Sequence, residues 1–164
     1  MLCIMRHSKR LDRHSKRNGS WPDQASRPYD TPICDFSLPA KAAERMHSLS
    51  VSPFDLIICS PFRRCLQTAA VAAKTLGVSR IRINKTLGEV TECVRSCQMS
   101  SGCEVTGVVD YLSAEAQLEI LGSCSGGVLS AVEGCDGEMP DPDETEEQGN
   151  ERLKRGLADI EQAF

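Results

Sequence analysis

The stretch Asp55-Leu56-Ile57-Ile58-Cys59-Ser60-Pro61-Phe62-Arg63-Arg64-Cys65-Leu66-Gln67-Thr68-Ala69 passes from an apolar run to a helical pattern almost at once. Residues 55–59 suit a buried strand, because a strand covered on both faces is apolar throughout. Ser60 then stands as an N-cap and Pro61 at the first helical position. Leu66, Ala69, Ala73 and Leu76 recur at helical spacing, which predicts a helix over 61–76. A strand feeding straight into a helix is the building unit of an α/β sheet.

Working outward, Leu2-Cys3-Ile4-Met5 and Arg80-Ile81-Arg82-Ile83 read as further strands, the second alternating and so expected at a sheet edge. Residues 38–49 read as a helix between the first two strands. The order strand, helix, strand, helix, strand predicts an α/β fold with a mainly parallel central sheet flanked by helices and right-handed crossovers. Ligands in such folds bind beyond the carboxyl ends of the strands. Residues 90–142 are rich in Gly, Ser and Cys, with one helix candidate at about 113–121, and are expected to form an irregular insertion. Residues 143–164 return to helix, with acids in the first turn and Leu153, Leu157, Ile160 and Phe164 on one face. A chain of 164 residues is expected to form a single domain, 1–164.

Hydrophobic residues make up 40% and charged residues 26%, and no apolar run approaches the roughly 18 residues of a membrane span. Met1–Met5 is too short for a signal peptide and is followed by basic residues, so a soluble, cytoplasmic protein is expected. Nine cysteines are an odd count, and Cys3 and Cys59 sit inside apolar runs; buried, reduced thiols fit better than a disulfide framework. A zinc site from Cys93, Cys97 and Cys103 with Cys124 or Cys135 would lack any Cys-x-x-Cys pair, so no metal and no cofactor is expected. Oligomeric state leaves no mark on the sequence.

The net charge of −4 averages two unlike ends. Arg6, Lys9, Arg10, Arg13, Lys16 and Arg17 crowd the start, whereas residues 133–147 hold eight acids and no base. Arg6-His7-Ser8-Lys9-Arg10 follows the first predicted strand. A neutral imidazole nitrogen there can attack phosphorus while guanidinium groups bind the equatorial oxygens. A surface basic cluster for nucleic acid or nuclear import explains the pentapeptide equally well. The same five residues recur at 13–17, but His14 follows no strand and leads into the turn pair Asn18-Gly19. A nucleic-acid site would want aromatic stacking partners, and the patch has only Trp21; neither nucleic acid nor membrane is expected as a partner. At Ser60-Pro61 a helix start at a strand's carboxyl end offers free N–H groups and a positive dipole end to phosphate, with Arg63 or Arg64 in reach.

Together these two segments resemble the histidine phosphatase superfamily, also called phosphoglycerate mutase-like. Its hallmarks are Arg-His-Gly-x-Arg after the first strand and Ser-Pro-x-x-Arg-Ala/Cys-x-Gln-Thr-Ala after the second. The resemblance implies His7 as phosphoryl acceptor and Arg6, Arg10 and Arg64, not Arg63, as phosphate ligands; Ser8 stands where the family usually has Gly. Leu87-Gly88-Glu89 takes the place of the family's Leu-x-Glu, which implies Glu89 as proton donor to the leaving oxygen. Asp35-Phe36-Ser37-Leu38-Pro39-Ala40-Lys41-Ala42 is similar to Asp-x-Pro-Leu-Thr-x-x-Gly without its Gly. Glu144-Thr145 running to Arg152 resembles the Glu-Ser...Arg segment that introduces the last large helix. Arg27-Pro28-Tyr29-Asp30-Thr31-Pro32-Ile33 resembles the branch of the suppressor of T-cell receptor signalling phosphatase domains, which is able to act on phosphotyrosine. Members carry a second histidine on a strand after the last helix; here the other histidines are His14 and His47, so the chain is expected to stop short of that strand. The implied activity is phosphomonoester hydrolysis on a phosphorylated small molecule or phosphoprotein. A phosphate- or phosphopeptide-binding pseudoenzyme of the same fold and a phosphoglycerate mutase-type phosphotransferase are the alternatives.

Overall fold

The computed structural model describes residues 3–13, 21, 23–49, 53–99 and 111–163. Its elements run α1 (Ser37–Leu49), β1 (Ile57–Cys59), α2 (Arg63–Leu76), β2 (Arg80–Asn84), α3 (Thr91–Met99), α4 (Ala114–Ser125), β3 (Ala131–Asp136) and α5 (Glu146–Ala163), with short 3-10 turns at Leu11–Arg13 and Lys85–Leu87. The fold is α/β: three parallel strands in the order β1-β2-β3, flanked by helices, as in a phosphoglycerate mutase-like architecture.

Helix α2 is the centre of the molecule. Its run of Ala69, Ala70, Ala72 and Ala73 with Val71 is buried nearly all round, because short side chains let α1, α4 and the sheet approach closely. Leu66, Ala69 and Ala73 join Cys59, Ile81, Ile83, Leu112 and Leu121 in the main core. A second cluster stacks Phe62 edge-on between Tyr29 and Tyr111, with ring centroids 6.3 and 5.4 Å away.

Four expectations change. β2 is central, not an edge: Ile57 pairs with Ile81 on one side and Val132 with Ile81 on the other. Its alternation reflects the sheet's two faces, since Ile81 and Ile83 point into the core while Arg80 and Arg82 meet Glu133 across the strands. The segment 90–142 is no irregular insertion throughout, because it carries α3, α4 and the third parallel strand, β3. Its small and polar residues hid the strand, which pairs with β2 along Arg80–Asn84.

Among the described residues, Cys3–Lys9 form no strand. Ile4 is 76% exposed and Cys3 is exposed, so Cys3-Ile4-Met5, without a pairing partner among the described residues, stays irregular. The chain is tied down farther on, where Arg10 bridges Ile33 antiparallel, with Leu11 N–H bonded to Pro32 O and Cys34 N–H to Lys9 O, both at 2.9 Å. Finally, α5 buries Gly149, Arg152, Gly156 and Ile160 and leaves Leu157 exposed. Of the expected face Ile160 is buried, Leu153 partly buried and Leu157 exposed, and Arg152 with its buried partner shares the inner face. Phe164 and His14 lie outside the described residues.

Candidate active site

Helix α2 starts at Arg63, two residues later than its Ser-Pro pair predicts, and Phe62 at its cap position makes no side-chain cap bond. The cap comes from far along the chain: Asp30 Oδ1 accepts the Arg63 N–H at 2.7 Å. One of the free N–H groups expected to await an anion is therefore already taken. Burial raises the Asp30 carboxyl above its ordinary range, against the lowering effect of the Arg63 N–H and the nearby Arg63, Arg64 and Arg27 charges. Arg63 itself turns outward to Asp23 at 3.1 Å.

Arg64 turns the other way and is 3% exposed. Its guanidinium lies 4.4 Å from the Phe62 ring centroid, donates to Tyr29 O at 3.2 Å and reaches Glu89 Oε2 at 3.3 Å. Arg64 Nε is buried and, among the described residues, has no partner. A buried guanidinium N–H left unbonded costs free energy that an acceptor oxygen would recover. Arg64 follows β1 and Glu89 follows β2, so the pair stands beyond the carboxyl ends of two parallel strands.

The amino-terminal segment is joined to this site by the motif residues of α2. Ser8 N–H donates to Thr68 Oγ1 at 3.1 Å, and Ser8 Oγ donates to Asp35 O at 2.8 Å. Gln67 Oε1 accepts the Ile33 N–H at 2.9 Å, so the Gln-Thr pair holds the backbone at both Ser8 and Ile33. Ser8, in the place usually taken by Gly, is buried and fixes its neighbour His7.

His7 is half-buried, and its Nδ1 lies 2.7 Å from Ser8 O. A carbonyl oxygen can only accept, so Nδ1 carries the proton and Nε2 keeps the free lone pair in the neutral ring. Burial pushes the His7 pKa below its usual 6.5; Arg64, Arg6 and Arg10 push it the same way, and the Ser8 carbonyl opposes them. The imidazole is thus neutral at neutral pH. Cys65, directly after Arg64, is no rival nucleophile, since burial raises its thiol to about 11.

Of the five residues singled out from sequence, Arg64 and Glu89 meet at 3.3 Å, and His7 lies near enough to Arg64, Arg6 and Arg10 for their charges to lower its pKa. Arg6 is exposed beside His7, and Arg10 forms a two-bonded pair with Asp12 at 2.6 and 3.0 Å. Asp30, Tyr29 O and Thr68 were not singled out as functional. Asp30 carried a signal, an acid within the Pro-flanked segment 28–32; the Tyr29 carbonyl, being backbone, carried none. Among the described residues no cluster of His, Cys, Asp or Glu could hold a metal, and no helix is long and apolar enough to cross a membrane.

Three parallel strands flanked by helices, with the buried Arg64 just after β1 and Glu89 just after β2, define an α/β protein. The sequence pattern of the histidine phosphatase superfamily, branch 1, matches residues 2–92, more than half the chain, and the protein belongs to that superfamily. The match carries the superfamily and not the branch suggested by residues 27–33. No curated protein matches the sequence closely enough to stand as a relative.

Proposed function

We propose that the protein hydrolyses phosphomonoesters through a phosphohistidine on His7. Superfamily membership supports a phosphatase or mutase chemistry in general. The observation that carries the finer reading is the buried, incompletely bonded Arg64 guanidinium beside a neutral His7 whose Nε2 is the free nitrogen. Nε2 attacks phosphorus in line, the P–O bond to the leaving group breaks, and Glu89 gives that oxygen a proton. Arg6, Arg10 and Arg64 neutralise the charge on the equatorial oxygens, so the residues themselves supply the electrostatic stabilisation. Water then attacks the phosphohistidine and releases phosphate.

A binding-only reading has one observation in its favour: Glu89 and Tyr29 O already occupy two edges of Arg64, and Asp12 occupies Arg10. Turnover separates the two. With an aryl phosphate, the hydrolase releases phosphate and yields an acid-labile, alkali-stable phosphoenzyme, lost in His7→Ala and kept in His14→Ala. Competition by vanadate without phosphate release would establish a binder instead, and equal loss in both histidine variants would displace His7 from its role.

A further inference from the structure

Glu89 sits in a short turn between β2 and α3, 44% exposed at its side chain, and nothing in the turn's own sequence fixes its direction. The turn is held from α5. Arg152 and Glu144 form an ion pair with side chains 5% and 4% exposed, bonded twice: Nε to Oε2 at 2.9 Å and Nη2 to Oε1 at 2.6 Å. The rest of both side chains is spent on the turn. Arg152 Nη1 and Nη2 each donate to Gly88 O at 3.2 Å, and Nη1 also donates to Thr86 O. Glu144 Oε1 accepts the Thr91 N–H at 3.3 Å, and Thr91 Oγ1 donates to Asp141 O at 3.1 Å.

The geometry points to Arg152 and Glu144 as positioning residues for Glu89: the buried pair grips the backbone at Gly88 and at Thr91, immediately before and two residues after the acid, and aims it at Arg64. The inference rests on the reading that Glu89 protonates the leaving oxygen. Two close approaches support a built clamp and not a chance ion pair. A Cβ on Gly88 would lie 1.9 Å from the Tyr111 hydroxyl, so the turn has no room to shift toward that ring. A Cβ on Gly149 would lie 2.7 Å from the Val90 methyl groups, so α5 rests directly on the turn it holds. Glu144 and Arg152 lie beyond the matched residues 2–92, in the segment that resembles the family's Glu-Ser...Arg.

A buried pair can often be exchanged for apolar side chains of similar size with little loss of stability, whereas removing one partner is costly. Glu144→Met/Arg152→Met therefore tests position with the fold largely kept, and Arg152→Lys, which keeps the charge but cannot span Glu144 and Gly88 O together, carries the test if the double variant does not fold. An aryl phosphate with a very good leaving group needs no proton, whereas an alkyl phosphate does. In the double variant the first should be hydrolysed within a few-fold of the unmodified chain, and the second should slow by about tenfold or more. In a Glu89→Gln background the same double change should cost nothing further, because the residues act through Glu89. Equal losses in both backgrounds, or equal losses on both substrates, would show a merely structural pair and overturn the inference. Amide hydrogen exchange gives an arm independent of turnover: exchange at Thr91 should quicken by at least about tenfold in the variant at unchanged melting temperature. Unchanged exchange overturns the clamp, whereas an unmodified chain without any turnover strikes the phosphatase reading alone.

Discussion

Arg64 and Arg10 bear the same charge and both lower the His7 pKa, yet they are held in opposite ways. Arg64 is anchored in the first turn of a helix packed on three sides, 3% exposed, with Phe62 beneath it and Tyr29 O at one edge. Arg10 rides on an irregular segment and closes on Asp12 two residues away, both partners reachable by water. The first arginine is preorganised, so an arriving oxyanion gains bonds without ordering a side chain. The second must first give up a local partner. Preorganised donors contribute most to stabilising charge in a transition state, so under the proposed function the larger share of phosphate binding is expected from Arg64.

Substitution should separate the two arginines. Arg64→Ala is expected to weaken vanadate or phosphate binding by about 1.5–3 kcal/mol, the worth of a charge-assisted contact in a buried setting. Arg10→Ala should cost under about 1 kcal/mol, because the lost contact is offset by the exposed Asp12 pair that no longer competes. Asp12→Ala should tighten binding slightly, by freeing Arg10. Calorimetric titration with vanadate checks all three, and an Arg10→Ala loss as large as that of Arg64→Ala would erase the contrast.

A proton titration sharpens the same comparison. The His7 ring should titrate below 6.5 by NMR, and its midpoint should rise in Arg64→Met, since one of the charges that disfavours the imidazolium is removed. Because burial is the larger cause, the midpoint should rise only part of the way back. Hydrolysis that depends on the neutral ring should fall as pH drops through this midpoint, and the fall should begin at higher pH in the variant.

The smallest effect is expected at Asp30. Its folded-state pKa lies above the ordinary 3.8, so the stability it contributes is complete below that value and is lost as pH rises through the raised folded value. Asn keeps an oxygen to accept the Arg63 N–H but has no charge to bury. Asp30→Asn should therefore match or exceed the unmodified chain in melting temperature at neutral pH, and lose that relative gain near pH 3.8 and below. A variant clearly less stable at neutral pH would mean that the Asp30 charge is needed beside Arg63 and Arg64.

How much is legible in the sequence depends on whether a residue's partner lies nearby in the chain. The α2 helix and the parallel strand on each side of it could be read from residues 55–84, where apolar spacing and the family pattern coincide; that pattern also preferred Arg64 to Arg63, and it is Arg64 that the fold buries. His7, Arg64 and Glu89 were nameable because each follows an expected strand by a few residues, although the first of those strands did not form in Cys3–Lys9. β3 was missed because Ala131, Gly134 and Asp136 show no apolar signal; its place comes from pairing with β2. The inner face of α5 was misread for a related reason, since a buried Arg152 looks like a solvent residue until Glu144 and the Gly88 carbonyl are beside it.

Hydrophobic period and motif spacing are local properties, and they carried the alternation of strand and helix and the superfamily's motif side chains. Which of those side chains are buried, which are already paired and which nitrogen of His7 is free came from the fold instead. Those outcomes depend on partners that are distant in sequence: Ser8 with Thr68, Arg63 with Asp30, Gly88 with Arg152. A charge changes its worth when water is removed from it and a fixed partner is put in its place, and neither event is written in the neighbouring residues.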